Sequence, residues 1–467
     1  MSRNDAGKAR VNARPSPSLD RRLGPVDAAA IVVSNVIGGG IFFVPTIVAG
    51  LVSDARAILF VWALGGALAF AGAMAYAELA ALRPHAGGEY VYLRDAYGPA
   101  AGFLSGWTSF VAGFSGAIAA SAIALADYTG RFLPGAADAT PLLTVPLPGI
   151  PLVVSRKTLV ALAAIAALTF VHVRGLRLGR VVQNGLTAVK VAALVLFIAL
   201  GFSIGHGVPA QLAASGTAAF APMLLALIPI MFTYSGWNAG AYVAEEVRDP
   251  ERNVPLALGL GTLAVIVIYL SLNALYLYAL PVPELAALEG RLIDTVAERL
   301  FGFIAGGLLA AFTIVSLAAS MSAMMIAGPR VYFAMARDGL FATTAGEIHP
   351  KFRAPAHAVI AQAIWSGVLV LSGTLSQLVN YTGFAVVLFS AVAVSAVFVL
   401  RRRQPLEIRP FRAWGYPWAP AAFVIASAAM LGSILINTPL KSSGWGLAII
   451  AAGLPVYWWM RRGARNR

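Results

Sequence analysis

Two long apolar segments of this chain are interrupted at their centres by residues that disfavour a helix. The first interruption is Val36–Phe42 (VIGGGIF), within residues 28–52, and the second is Phe232–Asn238 (FTYSGWN), within residues 218–244. Glycine in a helix costs about 1 kcal/mol relative to alanine. Unwound backbone at membrane depth is tolerated only where protein buries it or where it lines a polar cavity. Two such breaks in corresponding segments indicate a transporter binding site between two repeats, whereas a glycine-rich packing face would not explain the second break.

The composition places the chain in a membrane. Hydrophobic residues make up 59% of its 467 residues and charged residues 12%, whereas about a quarter of a soluble domain is charged. Twelve apolar runs are long enough to cross a hydrocarbon core of about 30 Å. They lie at residues 25–50, 57–81, 90–126, 156–172, 181–204, 219–245, 254–280, 300–334, 356–374, 378–400, 416–437 and 444–460. The expected fold is an all-α integral membrane protein with 12 transmembrane helices.

The basic residues predict the orientation of these helices. Of the 34 lysines and arginines, twelve spans with a cytoplasmic N-terminus put 26 on the inner side, seven on the outer side and Lys190 within a span. This excess agrees with the positive-inside rule, so both termini are expected in the cytoplasm and the protein in the inner (cytoplasmic) cell membrane. Nucleic-acid binding is the rival explanation for a pI of about 10.3, but the basic residues are scattered over short loops beside the spans.

The paired breaks also predict an internal repeat. Runs one to five and six to ten each begin with an interrupted helix, and an odd number of spans per half requires the halves to insert with opposite orientation. We expect a cytoplasmic tail at 1–24, a first five-helix repeat at 25–206, a second, inverted repeat at 219–400, two further helices at 413–460 and a tail at 461–467.

The chemistry of the breaks favours a zwitterion. A half-helix that begins near Gly39–Ile41 presents free N–H groups and the positive end of its dipole, which suit an anion. Half-helices that end near Val36-Ile37 and between Phe232 and Ser235 leave unpaired carbonyls, which suit a cation. An α-amino acid carries a carboxylate and an ammonium a few ångströms apart, so it satisfies both ends.

Lys190 is the only charged residue in the apolar run over residues 181–200. An ionisable group inside a membrane is costly and is a functional hypothesis by default. The ammonium either caps helix-end carbonyls structurally or takes the place of a sodium ion near Gly38, Ser316 and Ser320, and the two roles are compatible. A buried amine can also exchange a proton, so proton coupling stays open.

Five stretches carry a family signature: Val36–Pro45, Pro84–Leu93, Phe232–Leu256, Arg337–Leu340 with His349–Pro355, and Phe411–Pro420. They resemble the amino acid–polyamine–organocation superfamily of transporters, and most closely the bacterial relatives of the L-type amino acid transporters. The resemblance runs from about residue 24 to the C-terminus. Its most specific part is the block GWNAGAYVAEEVRDP, in which Asp249-Pro250 stands where the family has an Asn-Pro-type pair.

The resemblance implies a LeuT-type fold, a 5+5 inverted repeat with broken helices 1 and 6. It implies substrate carboxylate on the amides of Gly39 to Ile41, substrate amine on carbonyls at the two breaks, and the Phe232 ring as a lid. It also places a lysine at the position of Lys190 in sodium-independent members. The expected substrate-binding residues are Val36, Ile37, Gly39, Gly40, Ile41, Phe232, Ser235 and Asn238, with Phe232 and Trp237 as gates; Trp237 is either a pocket wall or simple packing.

The expected function is sodium-independent, alternating-access transport of α-amino acids, as an exchanger of neutral substrates and without a cofactor. Small and apolar candidates for the pocket, such as Ser316, Ala385 and Val386, favour a neutral side chain. The alternatives are a proton-coupled symporter or uniporter that uses the buried lysine, or a polyamine or amine carrier. A channel needs a continuous polar pore and an enzyme needs a nucleophile–base or metal constellation, and the sequence offers none of these.

Partners and metals are constrained by residue types. Eukaryotic light subunits of the family join a glycoprotein through a cysteine between spans 3 and 4, but this chain has no cysteine, so no disulfide-linked heavy subunit is expected. The five histidines show no i, i+4 pairing, so no metal site is expected. Glu245 and Glu246, with Arg248 close behind, are expected to form loop ion pairs or a gate rather than a catalytic acid pair.

Overall fold

The computed structural model describes residues 19–146, 151–213, 216, 219–288, 292–302, 305–372, 375–437 and 440–465. In chain order the helices are α1 Pro25–Val36, α2 Val44–Leu51, α3 Ala55–Leu82, α4 Glu89–Tyr97, α5 Pro99–Thr108, α6 Phe114–Thr129, α7 Arg156–Val173, α8 Leu176–Ser203, α9 Phe220–Tyr234, α10 Ala239–Tyr242, α11 Pro250–Ala279, α12 Val282–Ala286, α13 Leu292–Phe301, α14 Ala305–Arg337, α15 Ala356–Ser372, α16 Leu375–Arg403, α17 Trp418–Asn437 and α18 Leu440–Arg465. A π-helical turn, Ser109–Gly113, joins α5 to α6, and a short hairpin pairs β1 Pro141–Val145 antiparallel with β2 Leu152–Ser155. The part of the predicted tail before residue 19 lies outside the described residues.

The prediction of an all-helical membrane protein is confirmed. Eight of the described helices are long and apolar enough to cross a membrane, and α1, α9 and α15 are shorter apolar helices beside them. The eight are α3, the segment Pro99–Thr129, α7, α8, α11, Gly307–Arg337, Gly383–Arg403 and Trp418–Ile436. Their number and apolar character are those of a multi-pass membrane protein.

Both predicted helix breaks are present. α1 begins at Pro25, whose fixed φ suits the first helical position, and ends at Val36 because Ile37 leaves the helical conformation. A 3-10 turn, Gly40–Phe42, separates α1 from α2. α9 ends at Tyr234, and Gly236 follows with φ +100°, where an added Cβ would lie 2.6 Å from Asn35 Nδ2. Only glycine suits that conformation and that close approach, so the two breaks meet directly.

Two of the predicted runs are divided differently in the structure. The run at 90–126 was expected as one span, but α4 ends at Tyr97 and Gly98 follows with φ +101°, after which Pro99 starts α5. A left-handed glycine followed by proline ends a helix, and apolar composition alone does not register this. Likewise the run at 300–334 joins the end of α13 to α14, which is a separate helix from Ala305 to Arg337.

Candidate functional site at the helix breaks

A cavity of about 1210 Å³ lies where the two breaks meet. The first break contributes Asn35, Val36 and Gly38 to Gly40 to its wall, and the second contributes Phe232, Thr233, Ser235, Gly236 and Asn238. α6, α14 and α16 supply the remaining wall with residues such as Ala117, Leu317 and Ala385. The cavity extends from the buried carboxylate of Glu89 to the exposed residues Asp127 and Arg131. Its lining is mostly apolar, and its polar residues lie at the breaks, around Glu89 and towards Asp127 and Arg131.

The first break presents backbone amides. Among the hydrogen bonds of the described chain, the N–H groups of Gly39, Gly40 and Ile41 have no acceptor, whereas those of Phe42 and Phe43 are bonded to Gly39 and Gly40 carbonyls. Free amides at the start of a helical turn bind anions. Gly40 also touches the second break, because an added Cβ would lie 3.0 Å from Thr233 Oγ1 and 3.3 Å from Thr233 Cα.

The sequence predicts unpaired carbonyls at the breaks, but two of these carbonyls already accept hydrogen bonds within the protein. Val36 O accepts from the Tyr269 hydroxyl at 2.8 Å and from Gly38 N at 2.8 Å, and Phe232 O accepts from Ser235 N at 3.1 Å and Ser235 Oγ at 2.6 Å. A carbonyl has two lone pairs, so each already has its full set of donors. The Tyr269 hydroxyl also lies 3.2 Å from Thr233 O, so it bridges the two breaks. Ser235 Oγ is the donor that a side-chain rotation alone would release.

The predicted substrate-binding residues divide into two groups. Val36, Gly39, Gly40, Phe232, Ser235 and Asn238 line the cavity. Ile37 and Ile41 are fully buried and lie outside its lining, and the Ile37 carbonyl is bound by Lys190. The Phe232 ring is half-buried in the cavity wall, beside Gly383 of α16. Trp237 is buried outside the cavity, in edge-to-face contact with Tyr76 and Phe423 at centroid distances of 4.9 and 5.5 Å.

Lys190 joins α8 to the end of α1. Its Nζ donates to Ile37 O at 2.5 Å and to Ser34 O at 3.3 Å, and its side chain is fully buried. Ser320 Oγ of α14 donates to the same Ser34 carbonyl at 2.9 Å. The acceptors are therefore orphan carbonyls at the end of α1, and Ile37 and Ser34 lie one residue and about one turn before the predicted Gly38.

The two remaining members of the predicted cation site lie beside this arrangement. Gly38 faces Ser320, since an added Cβ would lie 3.4 Å from Ser320 Oγ. Ser316 is fully buried, and its hydroxyl has no hydrogen-bond partner among the described residues. Ser320, rather than Ser316, is thus the α14 hydroxyl that shares an acceptor with Lys190.

Glu89, at the first position of α4, lines the cavity and is not among the predicted site residues. Its Oε1 accepts from Tyr76 Oη at 2.7 Å, Asn238 Nδ2 at 2.8 Å and Tyr242 Oη at 3.0 Å. These donors come from α3 and from the second break with α10, so the carboxylate ties three parts of the chain together at the floor of the cavity. A carboxylate after Gly87-Gly88, at the edge of an apolar run, is the signal that marks it.

Beyond this floor, ion pairs join the helix ends. Glu246 and Arg330 form a buried bidentate pair at 2.9 and 3.0 Å, and Arg337 contacts Glu245 at 3.1 Å. Leu23, before α1, pairs with Val247 as an isolated parallel bridge. The prediction that Glu245 and Glu246 form ion pairs is confirmed.

Farther out, Asp20 pairs with Arg353 at 2.6 Å. The hydrogen bond from the Arg353 guanidinium holds the pKa of Asp20 below its usual 3.8. Stability from such a carboxylate is present above its unfolded pKa and is lost as the pH falls through the folded pKa, so the pair stays charged at neutral pH.

The described residues contain no group of three or more His, Cys, Asp or Glu side chains that could hold a metal ion. His172, the buried histidine of α7, instead forms a hydrogen bond with Ser322 Oγ at 3.0 Å.

Comparison with known proteins covers almost the whole chain. The profile of a family described as amino acid permease matches residues 23–460. The serine/threonine exchanger SteT of Bacillus subtilis is 32% identical over 448 residues, which cover 95% of this chain and 98% of SteT. The human large neutral amino acids transporter small subunit 2 is 30% identical over 450 residues, 94% of this chain and 80% of that protein. The mouse Asc-type amino acid transporter 1 is 28% identical over 447 residues, 94% of this chain and 81% of that protein.

Proposed function

The chain belongs to the amino acid permease family, and from that premise we propose that it exchanges neutral α-amino acids across a membrane. It is a transporter rather than an enzyme. The observation that carries the proposal is the convergence of both helix breaks on one cavity, with free amides at Gly39 to Ile41 on one side and the Phe232 carbonyl on the other. An amino acid presents the two complementary charges to these two sides.

Binding requires one local exchange of hydrogen bonds. The substrate carboxylate accepts from the amides of the first break, where the dipole of the helical turn favours negative charge. The substrate ammonium displaces Ser235 Oγ from the Phe232 carbonyl, because that carbonyl has no further lone pair to offer. The Phe232 ring, beside the same carbonyl, then lies over the bound molecule as a lid. Asn238, held by Glu89, fixes the opposite wall.

The lining of the cavity supports a neutral side chain. Ala117, Ala120, Leu317, Ala385 and Val386 form the wall around the breaks. Glu89, the cavity carboxylate that is bonded to the second break, already accepts four hydrogen bonds from protein groups. A cationic side chain would have to compete with those donors. The names of the relatives, a serine/threonine exchanger and a large neutral amino acids transporter, point the same way.

Lys190 supports sodium independence. Its ammonium supplies a positive charge to Ser34 O and Ile37 O at the end of α1, where a sodium ion would otherwise be needed to neutralise the carbonyl dipoles. A fixed cation at that position holds α1 against α8 throughout binding. Transport then needs no ion gradient, and the driving force is the gradient of the exchanged amino acid.

The architecture that we propose is twelve spans in a 5+5 inverted repeat, with α1–α2 and α9–α10 as the broken first and sixth spans. The cavity mouth at Asp127 and Arg131 faces the exterior, and the end that carries the Glu246–Arg330 pair faces the cytoplasm, with both termini. The basic loops support this orientation by the positive-inside rule. Because the sequence has no cysteine, we propose that the chain works without a disulfide-linked partner.

Counterflow in proteoliposomes tests the function. Purified protein is reconstituted into vesicles loaded with serine, alanine, leucine or arginine, or with none, and uptake of radiolabelled serine is measured in sodium or choline buffer. Neutral amino acids inside should raise the initial rate at least tenfold over vesicles without amino acid or with arginine, and the choice of sodium or choline should not change it. Protein-free vesicles are the control.

Each departure from that pattern has a definite meaning. Equal uptake with and without internal amino acid would indicate uniport instead of exchange. Accumulation driven by an imposed pH gradient in vesicles without amino acid would indicate proton symport. Preference for a polyamine would show that the substrate is a polyamine and not a neutral amino acid. Loss of uptake in choline buffer would remove the role given to Lys190.

A further inference from the structure

A second cavity, of about 340 Å³, is lined almost entirely by arginines. Its lining consists of Arg21, Arg22, Leu176, Arg177, Arg180 and Arg248. It is separate from the central cavity and shares no residue with it. The function proposed above does not use it, because none of its residues lines the cavity at the helix breaks.

The five arginines come from three segments that the backbone holds together. Arg21 and Arg22 precede α1, Arg177 and Arg180 lie in the first two turns of α8, and Arg248 follows α10. Arg22 N and Leu23 N donate to Glu246 O at 2.8 and 2.9 Å, and Arg248 N donates to Leu23 O at 2.9 Å. Arg180 Nη1 donates to Arg22 O at 3.2 Å. Backbone bonds thus hold the segments of Arg22 and Arg248 together, and the Arg180 side chain joins α8 to them.

The carboxylates beside this cavity all have further partners, although Asp27 and Asp20 also pair with the cavity arginines Arg180 and Arg22. Asp27, 3.6 Å from Arg180, also accepts from Gly24 N at 2.7 Å and Asn184 Nδ2 at 2.5 Å. Asp20 is shared between Arg22 and Arg353. Glu245 and Glu246 pair with Arg337 and Arg330. No carboxylate belongs to the cavity lining among the described residues, so guanidinium groups that cannot lose their charge face one another.

Guanidinium groups that converge on one small space fit a phosphate group. Arginine offers planar pairs of N–H donors that match phosphate oxygens, and its weak hydration makes it suited to such sites. A phosphate also relieves the repulsion between the arginines, which grows as their separation falls.

The surroundings favour a phosphate that is anchored in lipid. Val26, Leu178 and Val181 lie in the same segments as the arginines, and their side chains are 75%, 42% and 59% exposed. Exposed apolar residues on a membrane helix face acyl chains, so the arginines beside them stand at the level of the headgroups. Basic clusters directly beside a spanning helix bind anionic lipids.

We propose that this arginine cavity binds a phosphate group, supplied by the headgroup of an anionic phospholipid. The bound phosphate joins the segment before α1, the start of α8 and the segment after α10. A soluble phosphate is the other source of the same chemistry, and the experiment separates the two.

The test is ligand-dependent thermal stability of the purified full-length protein in detergent, with native mass spectrometry to count bound lipid. The probes are phosphatidylglycerol, phosphatidylcholine and inorganic phosphate. The variant Arg177→Gln/Arg248→Gln removes two exposed cavity arginines whose side chains have no hydrogen-bond partner among the described residues. The control, Arg402→Gln/Arg412→Gln, removes the same charge from exposed arginines outside the cavity.

Wild type and control should bind phosphatidylglycerol in preference to phosphatidylcholine, with a raised unfolding temperature. The cavity variant should bind it roughly tenfold or more weakly, since each arginine near an anionic surface contributes about fivefold. The same stabilisation by inorganic phosphate, with the same loss in the variant, would support the site and assign it to a soluble anion. Equal binding of phosphatidylglycerol by cavity variant and control would overturn the proposal. If the double variant fails to fold, Arg177→Gln alone gives the same comparison against Arg402→Gln.

Discussion

Lys190 donates hydrogen bonds to two carbonyls, and these differ in whether another donor remains when the lysine is removed. The Ser34 carbonyl would keep the Ser320 hydroxyl as a donor, whereas the Ile37 carbonyl has no second donor among the described residues. We therefore predict that Lys190→Met, which keeps the length of the side chain and removes the charge, leaves one buried acceptor unsatisfied. The cost should be roughly 1–3 kcal/mol, and uptake should fall because the last turn of α1 loses its hydrogen bonds from the ammonium, although Ser34 and Thr187 still join α1 to α8 at 2.7 Å.

The measurement is the thermal unfolding midpoint together with serine uptake in proteoliposomes. Lys157→Met is the matched control, because Lys157 is half-buried at the start of α7 and its pair with Asp127 is of the surface kind, which contributes about 0–1 kcal/mol. A Lys190→Met protein as stable and as active as the Lys157→Met protein would refute the role of the buried ammonium.

At the scale of single residues, the sequence identifies functional candidates more reliably than it identifies their contacts. A charge in an apolar run is visible without a structure, and Lys190 was found in this way. Its acceptors were not, because the choice between the carbonyls of Ser34, Ile37 and Gly38 depends on where α1 ends to within one residue. Glu89 was missed because it stands at the edge of a run, where a carboxylate is usually solvated.

The two breaks also approach each other closely at Gly40, and the neighbouring glycine Gly39 has different surroundings. An added Cβ at Gly40 would lie 3.0 Å from Thr233 Oγ1, whereas at Gly39 nothing lies closer than 3.9 Å. We predict that Gly40→Ala forces the 3-10 turn away from α9, so that both uptake and thermal stability fall. Gly39→Ala should keep wild-type stability and raise KM for the substrate by roughly tenfold, because its methyl group stands beside amides that bind a carboxylate.

The pair is measured by KM for uptake and by unfolding midpoint, with wild type as reference. Unchanged KM in Gly39→Ala would contradict the assignment of the carboxylate to these amides. Unchanged stability in Gly40→Ala would show that Thr233 can move aside at no cost.

Elements that end at glycine or proline were predictable only where the signal interrupts an apolar run. Three consecutive glycines in the first break and Ser235-Gly236 in the second are such signals, and both breaks are present. Gly98-Pro99 is an equally strong pair, but it stands among aromatic and charged residues near the start of a run. The pair lay inside the run at 90–126, which was extended through it, so one span was expected where α4 and α5 are separate helices.

At the scale of the whole molecule, the buried ion pair of Arg330 and Glu246 joins helix ends on the side that we assign to the cytoplasm. The side chains of Arg330 and Glu246 are 4% and 0% exposed. We predict that Arg330→Met destabilises the protein by roughly 3–5 kcal/mol, because it leaves the Glu246 carboxylate buried without its partner. Arg330→Met/Glu246→Gln should recover part of that loss, since no unpaired charge then remains.

Thermal unfolding of the two single variants, the double variant and wild type forms a complete cycle for this measurement. Arg353→Met, which removes an exposed partner of Asp20, is the control and should cost far less. Additive losses in the double variant would mean that the two side chains do not depend on each other.

Long-range charge arrangements of this kind lie beyond a reading of the sequence. The acid pair Glu245-Glu246 was expected to form ion pairs, but its partners lie 84 and 92 residues away in α14. The arginine cavity combines three segments whose proximity depends on the backbone bonds between Leu23, Glu246 and Arg248. The positive-inside count treats these arginines as separate loop charges, so it does not show that they line one cavity.

The Tyr269 hydroxyl, which lies between Val36 O and Thr233 O, has only one proton to donate. Two carbonyls on different broken helices therefore compete for a single donor, so a stronger hydrogen bond to one carbonyl weakens the hydrogen bond to the other. A shift of either segment by a few tenths of an ångström changes the partition of that proton. The Tyr269 hydroxyl of α11 therefore couples the two broken helices. A displacement of one helix changes the hydrogen bond that remains for the other, without any side chain of one helix moving into the space of the other.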